Sequence, residues 1–131
     1  MVRRWIIVLI LSTMLIVGCV LEHNYVHGSF NWLINSLESL QIEITENKDK
    51  IDSETTVAKT YKIHNDWHKR VKILKCLIWH TGIKDVEIGL ARIAVYVEEN
   101  DYTEAYAEIV SLIDYNQHYL EDFSISSENI F

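Results

Sequence analysis

Six histidines are the only residues in this chain whose type and spacing suggest metal chemistry, and four of them come in pairs. His23 with His27 and His64 with His68 are each four apart, which sets both imidazoles of a pair on one helix face, as a metal ion would need. Neither pair encloses a glutamate in the His-Glu-x-x-His arrangement, and no third ligand stands at a diagnostic spacing. The competing reading places His23 and His27 near lipid headgroups, His64 as a polar point in an apolar stripe, and His68 on the surface. On this basis no metal or other cofactor is expected.

Other chemistry is equally thin. Cys76 lies within a helical segment far from Cys19, so no disulfide between them is expected, and Cys76 reads as a small buried hydrophobe. The serines sit in no Gly-x-Ser-x-Gly elbow, and no glycine-rich loop could hold a phosphate. Glu98, Glu99, Asp101, Glu104 and Glu108 cluster, which reads as a solvated acidic patch. The chain carries no catalytic signature and is not expected to be an enzyme.

What must position these residues is a set of helices behind an apolar leader. Trp5 to Leu21 are 17 consecutive uncharged, mostly apolar residues, entered through Arg3 and Arg4 and closed by Glu22. As a helix this run covers about 26 Å, close to the roughly 30 Å of a bilayer's hydrocarbon core. The two arginines would stay on the cytoplasmic side and send the rest of the chain across. A second reading is a secretory signal: Leu15-Ile16-Val17-Gly18-Cys19 has the form of a bacterial lipobox, in which Cys19 receives a diacylglyceryl group and becomes the new N-terminus. Both readings make residues 1–21 an anchor or lipoprotein-type signal and place residues 22–120 outside the cytoplasm, on the cell membrane.

All 19 carboxylates lie at or beyond Glu22, against 10 of the 12 lysines and arginines, a net charge of −9 on the external part. That surface repels nucleic acid, which is excluded as a partner. Proline is absent and glycine numbers four, while 49% of residues are hydrophobic, so the external part reads as an all-α domain.

Four stripes recur at helical spacing. The first, Phe30, Leu33, Ile34, Leu37, Leu40 and Ile44, continues the membrane helix outward, with a bend expected at His27-Gly28-Ser29. The second, capped by Asp52 or Ser53, runs through Tyr61, His64, Trp67, Val71, Leu74 and Ile78 and stops at Thr81-Gly82, where Gly82 supplies a left-handed cap. The third is Ile83, Val86, Leu90, Ile93 and Val97. Asp101 and Glu104 have capping-box spacing and open a fourth through Ala105, Ile109, Leu112, Ile113 and Leu120. Periodicity fades from Glu121, so residues 121–131 read as a disordered tail. The stripes should close on one another as a small antiparallel bundle of about four helices.

His80 at the end of the second helix would complement its dipole, and Trp67 and Trp79 read as core or interface anchors. The order Trp67, Leu74, Leu77-Ile78-Trp79-His80, Ile83, Val86-Glu87, Leu90-Ala91-Arg92-Ile93, Tyr96-Val97-Glu98 and Asp101 resembles domain of unknown function 4363, a family of small bacterial membrane-anchored proteins. Gly82 and Lys84 stand where that family usually has acidic residues. The resemblance implies an anchor, an external helical domain and multi-pass membrane neighbours, with no established activity. Tyr96, Tyr102, Tyr106, Tyr115 and Tyr119 exceed what a minimal bundle needs. The expected function is therefore interaction with an integral membrane protein or self-association; the alternative is a lipoprotein that binds a metal or small ligand through its histidines.

Overall fold

The computed structural model describes residues 1–78 and 81–128, which form four helices and their joints: α1 (Val2–Glu46), α2 (Glu54–Leu77), α3 (Thr81–Glu98) and α4 (Tyr102–Glu128). No strand occurs among the described residues, so the all-α class read from periodicity holds. Each helix packs on its neighbours in sequence, and α4 closes on α1, which gives an up-down-up-down bundle.

Helix starts follow the predicted capping chemistry. The Ser53 hydroxyl accepts the Thr56 N–H at 3.2 Å and opens α2. An Asp101 carboxylate oxygen accepts the Glu104 N–H at 3.1 Å and opens α4. Just before it Asn100 turns the chain with a φ of 56°. Its side chain also reaches the α1–α2 joint, accepting the Ile51 N–H at 2.8 Å and donating to the Asp49 carbonyl at 3.3 Å. One residue thus locks the two joints at the end far from the apolar span.

The core is the sum of the four stripes. Leu33, Leu37 and Ile44 of α1 meet Trp67, Val71 and Leu74 of α2, Ile83, Val86 and Ile93 of α3, and Ala105 and Ile109 of α4, all buried. By contrast residues 1–21 are exposed on every side, so α1 is two objects in one helix: a free apolar rod and a bundle wall.

Five points refine the expectations. First, α1 continues as one helix through His27-Gly28-Ser29, where Gly28 is exposed. Second, α2 ends at Leu77 with Ile78 extended, and Gly82 belongs to the first turn of α3 rather than to a left-handed cap. Its role is space: a Cβ there would lie 2.8 Å from the Tyr115 hydroxyl. Third, Tyr61 is 41% exposed and donates its hydroxyl to Glu98 at 2.8 Å across the α2–α3 seam. Fourth, Cys76 is exposed, since nine residues beyond Trp67 a helix presents its opposite face. Fifth, α4 continues past Glu121 to Glu128.

Replacing Asn100 separates its two roles. Asn100→Gly should lose the two side-chain hydrogen bonds, while Asn100→Ala should lose them and strain the left-handed backbone, a further cost of about 1 kcal/mol. Equal midpoints for the two variants in denaturant unfolding would refute the left-handed turn.

Candidate functional site

The end of the bundle that adjoins Leu21 gathers rings from three helices. His23 and His27 occupy the turns of α1 just beyond the span, their ring centroids 4.3 Å apart. Antiparallel α4 brings Tyr115, Tyr119 and Phe123 to the same end at spacings of four. Phe123 lies 5.7 Å from His23 and 5.6 Å from His27. One layer deeper Tyr119 stacks on Phe30 at 4.7 Å, and Phe30 meets Trp67 of α2 edge-on at 5.3 Å. Gly82 of α3 makes room, since Tyr115 and Tyr119 both lie within 4 Å of where its Cβ would stand.

Burial tunes the protonation of this cluster. It pushes His27 below the ordinary imidazole value, and the neighbouring His23 pushes the same way. Burial raises Tyr119, with Tyr115 adding to it, and raises Tyr115, with the Asp85 carboxylate adding. At neutral pH His27, Tyr115 and Tyr119 are therefore uncharged. The result is an aromatic surface with polar tips. Among the described residues no group of three His, Cys, Asp or Glu side chains is placed to hold a metal ion.

The residues singled out from sequence fall in different places. Trp67 is fully buried in the core, and Tyr96 is half-buried against it. Cys19 is exposed on the apolar half of α1. Trp79 and His80 lie outside the described residues. The second histidine pair is divided by function: His64 is half-buried, while exposed His68 sits 3.0 Å from Glu87 on α3. Sequence reasoning missed Phe123, which it assigned to the tail. The signal was present in the spacing of Tyr115, Tyr119 and Phe123, which continues the helical period past Glu121.

The sign of the pH response follows from His27. An imidazole lowered in the folded state binds its proton more readily when unfolded, so acidification through the ordinary histidine range should loosen the α1–α4 contact. Phe123→Ala should expose His27 and return its NMR titration toward the ordinary value; an unchanged titration would show that Phe123 does not bury it.

No curated protein and no solved structure matches this chain. The family described as Domain of unknown function (DUF4363) matches residues 20–130. That region begins directly after Cys19 and takes in the bundle half of α1 with all of α2, α3 and α4, and the chain belongs to this family.

Proposed function

We propose that this chain is a membrane-tethered helical bundle that binds an integral membrane protein beside it, on the extracytoplasmic side of a bacterial cell membrane. The observation that carries the reading is α1, whose span is long and apolar enough to cross a bilayer, has none of that surface buried within the chain, and continues unbroken into the bundle wall. The tether is either the retained span or a diacylglyceryl group on Cys19, with Arg3 and Arg4 held on the cytoplasmic side. The ring cluster at His23, His27 and Phe123 then lies at headgroup level, where amphipathic rings are favoured. Beyond it, Ile88 and Val95 stand exposed seven residues apart on α3, on either side of the exposed Arg92.

Intact mass of membrane-extracted protein distinguishes the tethers: the full chain means a span, and loss of 18 residues with lipid mass means Cys19. A chain recovered wholly from the soluble fraction, without lipid, would overturn the tether. A photocrosslinker at Ile88 in native membranes is expected to yield an adduct with an integral membrane protein; monomer alone would sink the partner.

A further inference from the structure

Between α1 and α2, on the flank of the bundle away from α4, runs a groove of about 350 Å³. That is the lower end of the range for small-ligand clefts, roughly 300 to 1,000 Å³. Its wall is the half-exposed Trp32 indole, and its floor includes buried Ile63. Arg70, which does not line the groove, stacks its guanidinium 4.5 Å from the Trp32 ring centroid and fixes the ring's plane.

The charged groups of the lining, Lys59, Lys62 and Asp66, are all engaged in ion pairs. Lys59 bonds Glu43 at 2.7 Å and the Ser39 hydroxyl at 2.9 Å, and Lys62 bonds Asp66 at 2.9 Å. Each lysine of the lining is thus held by a carboxylate, with Asp66 shared between Lys62 and Lys69. Hydrogen-bonding capacity remains: Asn35 is exposed and its amide offers both a donor and an acceptor, while Ser36 donates to the Trp32 carbonyl and keeps lone pairs to accept with. Asp66 keeps acceptor sites beyond its bonds to Lys62 and Lys69.

An aromatic wall, an apolar floor and a rim of hydrogen-bonding groups whose lysines are already ion-paired fit a ring that is apolar on its faces and hydroxylated at its edge. We propose that this groove binds a neutral sugar unit, with its apolar face on Trp32 and its hydroxyls on Asn35, Ser36 and Asp66. The groove shares no lining residue with the anchor-end cluster.

The test uses the full chain in lipid nanodiscs, since glycoside detergents would compete. Glucose, N-acetylglucosamine and the β-1,4 dimer of the latter are titrated against the Trp32 indole N–H signal, identified with Trp32→Phe. At least one sugar should shift that signal saturably, and Asn35→Ala, a change at an exposed position, should weaken it by about tenfold, or about 1.4 kcal/mol, with an unchanged melting temperature. The proposal is overturned if no sugar shifts the signal, if Asn35→Ala binds as well as the parent, or if cyclohexanol binds with the same affinity.

Discussion

One unbroken hydrogen-bonded helix of 45 residues joins the apolar span to the bundle wall, and that continuity of α1 sets the geometry of everything packed against it. Only four residues separate Leu21, the last exposed apolar residue of the span, from Val26, the first buried one, a rise of about 7.5 Å. There is no linker in which the bundle could swing. Rotation and height of the stripe Val26, Phe30, Leu33 and Leu37 are therefore inherited from the span. The other helices are then folded back and forth on that stripe, so the end of α4 must return to the level of His23 and His27.

Packing fixes the register of the remaining helices by shape more than by charge. Phe30, Trp67 and Tyr119 bring rings from α1, α2 and α4 into one layer. On α3 the answer to large α4 side chains is absence: a Cβ at Gly89 would lie 2.8 Å from both Leu112 methyl carbons, as one at Gly82 would meet Tyr115. Glycine in a helix costs about 1 kcal/mol relative to alanine, and here the close approach of two helices offsets it. The seams carry polar ties, Glu43 to Lys59 and Thr56, Glu87 to His68, and Arg92 to Glu108. Burial alone would raise the Glu43 carboxyl, but the hydrogen bonds from Lys59 and Thr56 outweigh it and leave it lowered. Such partly exposed ties contribute at most about 1 kcal/mol each, so the packed core sets both register and stability and the ties add to it.

The fold was largely legible because a bundle writes itself in periodicity and caps. The Leu33-Leu37-Leu40-Ile44 and Ile83-Val86-Leu90-Ile93-Val97 stripes and the Ser53 and Asp101 caps are local signals, and the structure uses them as read. Tyr61 and Cys76 were misplaced because hydrophobic type was weighed above angular position; Tyr61 is six residues before Trp67, about 120° away around the helix. Gly82 was misread because a glycine near a helix end has two physical uses, left-handed backbone and close approach, and only the position of Tyr115 decides between them. The Trp32 groove was illegible, since it depends on two helices meeting at a particular rotation that no single segment encodes.

The two ends of the bundle are not equally well satisfied. At the end far from the span Asn100 closes both joints with two hydrogen bonds. In the half nearer the span the Ser29 hydroxyl, the Trp67 indole nitrogen and the Asn116 carbonyl oxygen are buried with no hydrogen-bond partner among the described residues. Each such group costs about 1 to 3 kcal/mol relative to a satisfied one. The same half holds an imidazole, His27, that resists protonation because it is desolvated. Local opening therefore needs less free energy beside the span than at the Asn100 lock, where capped joints have the most to lose. A bundle built this way is firmer at its far end than where α4 meets α1.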